Sequence, residues 1–514
     1  MRQRNLERTV SWNTAIGILF KVLTLVLSFF SRSVFILLLQ EEHLGINGLY
    51  SNILSVLSMA DLGINAVMIF ALYEPLVNHD EARIAALTKL FRKLYHIIAA
   101  VILLLGLLII PLLPYVVSKN TLAYEDLIKY YLLFLSNTVC SYLGVYKSVL
   151  LIADQKGYYV NVALFVSNIV RIVLQIAILY ILHSYTAYLV MAILGTVSNN
   201  IVLTLIANRH YPYLRQKHVP CDVSDIKPVL IERTKSVFFY RMGGTLIDST
   251  DNVLISVLVG TVAVGHYSNY SMITINLFSM LGVLSQACMT GIGNFNITAK
   301  STQKKNAFYA IVLLYFFVGT LILSGMLCAM NDFMRIWLQQ ERYILSQGFV
   351  LVLAIRLFFD IVLSPNWVFR EALGMFNEAK NIRLWGAGFN LVLSLIMGKL
   401  WGLEGIIGAT TISKLLTTFW YEPRIICSKA LGESTKQYWM IWLKLLIAAM
   451  ISVTSAYFAV CWLTEGIGQP VIKLLVKACV CVIVTVGVFA VICIKESQFH
   501  PLVQKVSKLF RIVR

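Results

Sequence analysis

Long apolar runs separated by mostly short polar connections dominate the chain. The hydrocarbon core of a bilayer takes roughly 20 mostly apolar residues per helix. Runs of that kind fall at 12–39, 45–73, 94–117, 127–152, 158–182, 186–208, 236–259, 264–290, 307–330, 345–369, 382–400, 403–427, 438–463 and 471–494. The pattern predicts an all-α, polytopic membrane protein with 14 transmembrane helices. Glycine and proline inside some runs do little against this reading, because neighbouring helices re-satisfy backbone groups within a bundle.

The longest connection, Asn208 to Lys235, carries Pro212, Pro220 and Pro228, which prevent a continuous helix. It leaves six spans before it and eight after. The stretch "GLYSN" (Gly48 to Asn52) opens the second span, and "GHYSN" (Gly265 to Asn269) opens the second span after the connection. Because six is even, both halves enter the membrane in the same sense, as in a parallel repeat about an axis along the membrane normal. A weaker echo pairs "ADQKGYYVN" before the fifth span with "GMFNEAKNI" before the eleventh. The expected organisation is an N-terminal six-helix bundle (1–208), a cytoplasmic linker (209–235), a C-terminal six-helix bundle (236–430), extra helices 13 and 14 (431–494) and a basic amphipathic tail (495–514).

Composition agrees: 59% of the 514 residues are hydrophobic, 13% are charged, and the mean hydropathy is +0.77. Of the basic residues in the connections and near the ends of the spans, 28 fall on one side and four on the other, namely Lys119, Arg335, Arg342 and Lys399. The positive-inside rule then makes both termini and the linker cytoplasmic; the bacterial cytoplasmic membrane is what the family resemblance given below implies. The net charge of +18 is a consequence of this topology. Anionic membrane lipids suffice as its partners, and no nucleic acid is expected. In the tail, Val503, Val506, Phe510 and Val513 recur at helical spacing among basic residues, as in an interfacial helix. The apolar run after the basic N-terminus is too long for a signal sequence and lacks a small-x-small cleavage site, so an uncleaved first helix is expected. None of the nine cysteines forms a CxxC or Cys/His cluster, which leaves them as packing residues with no metal site.

The candidate chemistry is charge inside the spans. A charged side chain near the bilayer centre costs about 2.5–3.5 kcal/mol even on permissive scales, so it usually faces water or a partner. In span one, Lys21, Ser28 and Arg32 form a narrow helical stripe, and span two carries Ser51, Ser55, Ser58, Asp61 and Asn65. Span five places Ser167, Arg171 and Gln175 at successive i+4 positions. Span seven repeats the theme, with Arg241, Thr245, Asp248 and Asn252 on one face and Asp251 to its side; span ten offers Arg356 and Asp360 at i, i+4. The five cations are candidate substrate-binding residues, and Asp61, Asp248, Asp251 and Asp360 are candidate ion-coupling sites or charge partners. The alternatives are structural: an i, i+4 ion pair for Arg356 and Asp360, and arginines that bridge helix carbonyls. Lys129 and Lys147, near predicted helix ends, are expected to snorkel to the interface.

No G-x-x-x-x-G-K-[ST] is present, which excludes a P-loop ATPase, and neither G-x-S-x-G nor HExxH occurs. The predicted outer loops are too short to carry a catalytic site. An enzyme is therefore not expected.

"SVFILLLQEEHLGINGLYSNILSVLSMADLGI" with "LYEPL", "TDNVLISVLVGTVAVGHYSNYSMI" and "ADQKGYYVN" resemble the polysaccharide flippases of the multidrug/oligosaccharidyl-lipid/polysaccharide superfamily, of the O-antigen and capsule repeat-unit type. The resemblance implies two six-helix bundles around a central cavity, alternating access, and transfer of a polyprenyl-pyrophosphate-linked oligosaccharide to the outer leaflet. It places Arg32 where relatives carry a cavity arginine on the first helix. It implies no cofactor and leaves the coupling ion, H+ or Na+, open. A polysaccharide polymerase and glycosyltransferases are the further partners it allows. Two other readings stay open: a multidrug/cation antiporter of the same superfamily, which would want a net acidic cavity, and a non-transporting scaffold, which would not need buried charge.

Overall fold

The structure is a computed structural model and describes residues 23–58, 64–215, 242–247, 249–298, 301–373, 375, 378 and 380–495. The described residues are predominantly helical and contain no strand. Each of the 14 expected spans coincides with helical residues, and eight described segments are by themselves long and apolar enough to cross a membrane. The chain divides into two compact units, the first ending at Ser268 and the second beginning at Asn269.

The first unit contains α1 (Leu23–Leu38) and α2 (Glu41–Leu57), α3 (Ile64–Val77), α4 (Glu81–Ile109), α5 (Tyr124–Tyr142), α6 (Val145–Ala153), α7 (Gly157–Leu182) and α8 (Tyr185–His210). It also holds a helix over 249–258, α9, and the start of α10 (Thr261–Thr298). Side-chain caps fix several boundaries, since orphan N–H groups at a helix start need an acceptor. Asp80 accepts from the Arg83 amide at 2.9 Å and begins α4. Ser184 caps α8, directly after His183 has closed α7 in the left-handed conformation.

Span four is broken rather than continuous, dividing into α5 and α6 at Leu143 and Gly144, and within span two residues 59–63 lie outside the described residues. A Cβ on Gly144 would lie 2.7 Å from the Asn200 Oδ1, so glycine there lets α8 seat its amide against the break. The "ADQKGYYVN" turn is held by Asp154, which pairs with Lys156 at 2.8 Å and accepts from the Tyr211 hydroxyl at 2.6 Å. Lys129 pairs with Asp126 at the α5 start. Lys147 does not snorkel: it is buried and donates to Asn208 Oδ1 at 2.9 Å. That bond replaces the hydration the interface would have supplied.

The two G-x-Y-S-N stretches meet. A Cβ on Gly45 would lie 2.1 Å from the Thr261 carbonyl oxygen, one on Gly48 would press on the Val264 side chain at 3.1 Å, and one on Gly265 would reach the Gly45 nitrogen at 3.0 Å. Glycines thus let α2 and the start of α10 touch backbone to backbone, the packing that small residues permit between membrane helices. Glu41 and His266 join the same two helices at 2.8 Å. This packing accounts for why the start of α10 belongs to the first unit, beyond the 209–235 linker.

The second unit contains α11 (Ser301–Leu338), α12 (Gln347–Ala372), α13 (Lys380–Leu416), α14 (Thr418–Ile425), α15 (Thr435–Leu463) and α16 (Pro470–Lys495). Expected spans 11 and 12 run together in α13 across a kink at Gly402, whose φ of 59° favours glycine. Its core is aromatic. Phe308, Phe316, Phe358, Phe369, Tyr438 and Trp442 are buried together, with Phe489 of α16. The two helices without a counterpart in the first half are therefore part of this core. The linker residues 216–235 and the tail beyond 495 lie outside the described residues.

Candidate functional site

Four of the nine candidate residues, Lys21, Asp61, Arg241 and Asp248, lie outside the described residues. The others fall into both units. In the first, the structure brings Arg32 and Arg171 towards one residue, Tyr188 of α8, which interacts electrostatically with both and hydrogen-bonds Ser31. Arg32 is half-buried and donates from Nη2 to the Ser268 hydroxyl, which in turn donates to the Gly265 carbonyl at 2.7 Å. One turn further along α1, the Phe35 ring meets Tyr185 and Tyr188 edge-on, at 5.7 and 5.3 Å between centroids. Apolar packing thus sets the height of the Arg32 guanidinium against α8.

Arg171 lines a cavity of about 310 Å³ bordered by α5, α6, α7 and α8. Its Nη2 donates to Asn168 at 3.1 Å. Its Nε is buried without a hydrogen-bond partner among the described residues, as is the Oδ1 of Asn199 in the same lining. Buried polar atoms of this kind cost about 1–3 kcal/mol each when unpaired. Such a lining favours a ligand or water that completes them. The remaining polar walls are Ser141, Ser148, Ser167, Thr196 and Asn200, with no carboxylate among the lining residues. The cavity is held open by fixed cross-links: Thr196 to Asn137 at 2.7 Å, and Asn200 to the Cys140 carbonyl at 2.7 Å. One fixed positive charge among hydroxyls and amides suits an anionic or hydroxylated guest. Gln175, the third member of the span-five stripe, is buried and donates to the Tyr188 carbonyl at 3.2 Å.

Gly195 sets the Arg171 position, because its missing Cβ would lie 2.9 Å from the arginine's Cγ and Cδ. Gly195→Ala is expected to break the Arg171–Asn168 bond and to cost about 1–3 kcal/mol, since the arginine's Cβ, 3.0 Å away, is fixed to the α7 backbone and cannot swing aside. Thermal unfolding of the purified variant checks this, and an unchanged or raised unfolding temperature would contradict it.

Asp251, which its spacing put to one side of the polar face, is 2% exposed on α9. Its neighbour Asn252 approaches the Gly48 carbonyl at 3.5 Å, and Ser249 approaches Ser55 at 3.4 Å. Polar residues of spans two and seven therefore face each other. In the second unit Arg356 is half-buried on α12, and Asp360 accepts from Lys414 of α13 at 2.5 Å. This is a long-range pair that no local spacing announces.

The sequence reading missed Tyr188, Ser268, Lys414 and the amides of α8. For α8 a signal was present. Tyr188, Gly195 and Asn199 are spaced by seven and four, the same stripe spacing that singled out Lys21, Ser28 and Arg32, but without a charge to draw attention.

With this geometry in hand, the chain can be set beside known proteins. A family model described as polysaccharide biosynthesis protein matches residues 10–289, more than half of the chain. No curated protein matches it in sequence. Among solved structures it is similar to the lipid II flippase MurJ in an inward closed conformation, with 13% identity and a TM-score of 0.70 over 94% of this chain and 99% of that one. It is also similar to an inward-facing multidrug resistance MATE family transporter of the MOP superfamily, with 12% identity and a TM-score of 0.65 over 80% of this chain and 98% of that one. The Vibrio cholerae MATE transporter VcmN matches at 14% identity and a TM-score of 0.53, over 82% and 97%. These likenesses establish the fold.

Proposed function

Since the chain belongs to the polysaccharide biosynthesis protein family, we propose that this multi-pass membrane protein is a flippase that carries a polyprenyl-pyrophosphate-linked oligosaccharide from the cytoplasmic to the outer leaflet. The observation that carries the reading is the pair of arginines, Arg32 and Arg171, set in apolar helices within reach of Tyr188. A pyrophosphate cannot cross hydrocarbon unaided. Guanidinium groups replace its hydration with two-pronged, charge-assisted hydrogen bonds. The serine, threonine and asparagine lining beside Arg171 offers donors and acceptors to sugar hydroxyls.

In this reading Arg32 engages the pyrophosphate, Arg171 and its cavity take the adjoining polar part of the substrate, and Lys21, Arg241 and Arg356 supply further positive charge. Transport proceeds by alternating access. With no nucleotide-binding motif, the energy comes from an ion gradient, the membrane potential or consumption of the product. Asp61, Asp248, Asp251 and Asp360 are the candidate coupling carboxylates, and Asp360 is matched by Lys414.

Deleting the gene tests the reading. The expected result is loss of the surface polysaccharide, with lipid-linked repeat units accumulating on the cytoplasmic face while membrane glycosyltransferase activity persists. Normal surface polysaccharide after deletion would overturn it in favour of the antiporter reading.

A further inference from the structure

We propose that the second unit holds a separate headgroup site for a zwitterionic phospholipid bearing a primary amine. A cavity of about 520 Å³ lies where α11, α15 and α16 meet the 338–347 connection. Four charged side chains line it: Asp332, Arg335, Glu341 and Lys477. Two are cations and two are carboxylates, so the lining carries no net formal charge.

Lys477 is the unusual member. It sits two turns inside an apolar helix, its side chain is 13% exposed, and it donates to Asp332 at 2.5 Å and to the Cys328 carbonyl at 2.9 Å. A lysine at that depth requires a fixed partner, and Asp332 supplies it. Arg335, by contrast, donates only through Nε, to Glu341 at 3.1 Å, and its Nη1 stays 3.9 Å from Asp332 Oδ1. Among the described residues its Nη nitrogens make no hydrogen bond. The site thus keeps a guanidinium fork in reserve, beside two carboxylates whose capacity is only partly used.

The charge pattern selects the occupant. A pyrophosphate or other simple anion would bring negative charge against Asp332 and Glu341, and a simple cation would meet Arg335 and Lys477. A phosphoethanolamine headgroup satisfies both signs: its phosphate accepts from Arg335, and its ammonium donates to the carboxylates. The rim points to a lipid rather than a soluble zwitterion. Tyr457 and Cys461 of α15 line the cavity and are exposed, and Phe458 and Trp462 on the same helix are 67% and 77% exposed. Apolar side chains at a polar cavity's edge offer acyl chains a surface continuous with the bilayer.

The test uses the full-length protein, purified with an equimolar mixture of phosphatidylethanolamine, phosphatidylcholine and phosphatidylglycerol of identical chains, with retained lipid read by native mass spectrometry. The expected result is retention of phosphatidylethanolamine over both others by about tenfold, the worth of one charge-assisted hydrogen bond. The phosphatidylcholine arm requires no mutation and isolates the N–H donors. Combining Arg335→Gln with Glu341→Gln, both largely exposed positions, should bring the three lipids to equal retention at unchanged unfolding temperature. Equal retention by the unaltered protein, a preference for phosphatidylglycerol, or a preference that survives the double substitution would each overturn the site.

Discussion

Arg32→Ala is expected to abolish export of the lipid-linked repeat unit at normal protein levels. Each charge-assisted hydrogen bond lost is worth about 1.5–3 kcal/mol, so removing a two-pronged contact costs about 100-fold or more in transport rate. Arg32→Lys should recover part of the loss, because lysine keeps the charge without the planar fork. Ser268→Ala separates this role from a structural one, since Arg32 donates to the Ser268 hydroxyl. If the Arg32–Ser268 bond is itself what transport needs, losing the serine should reproduce the Arg32→Ala defect. The flippase reading expects Ser268→Ala to transport within about threefold of the unaltered protein, a change below about 1 kcal/mol. Surface polysaccharide measured in a deletion strain complemented with each variant decides between them.

Gly45→Ala is expected to be the most damaging small substitution in the first unit. Its Cβ would lie 2.1 Å from the Thr261 carbonyl oxygen and 2.8 Å from that carbonyl's carbon. Backbone cannot swing aside, so α2 and α10 must separate. Overpacking of this kind costs about 1–3 kcal/mol and occasionally more. Gly265→Ala should act in the same direction, with 3.0 Å to the Gly45 nitrogen. Gly282→Ala on α10 is the control: nothing lies within 4 Å of its Cβ, and alanine's helix propensity predicts a gain of up to about 1 kcal/mol. Unfolding temperatures of the three purified variants give the ranking. Equal stability of Gly45→Ala and Gly282→Ala would contradict the backbone contact between α2 and α10.

The architecture was legible because lipid enforces it. Every spanning segment must be apolar for about 20 residues and must pair its own backbone groups, so composition alone announces α4, α7, α8, α15 and α16. What the sequence hid are the breaks. Gly144 sits at the end of α5, where its missing Cβ leaves room for a tertiary neighbour, Asn200, and no local pattern marks that. The repeat G-x-Y-S-N was readable as a marker of two corresponding corners. That the corners pack on each other depends on helix placement, which periodicity does not encode. The arginine positions were found because charge in hydrocarbon is costly enough to stand out. Tyr188 and the α8 amides stayed hidden because tyrosine, threonine and asparagine are tolerated in many spans. Lys414 and Lys477 escaped for a different reason: their partners, Asp360 and Asp332, are 54 and 145 residues away.

Movement of a lipid-linked oligosaccharide across a bilayer is tested most directly by reconstitution. Purified protein is placed in vesicles carrying a fluorescent polyprenyl-pyrophosphate oligosaccharide on both leaflets, and the fraction accessible to an external quencher is followed with time. The account predicts that inner-leaflet substrate becomes accessible in vesicles containing the protein, that protein-free vesicles retain a protected inner pool, and that Arg32→Ala behaves like the protein-free control. A protected fraction that stays the same with and without the folded protein, under an imposed ion gradient and membrane potential, would contradict it.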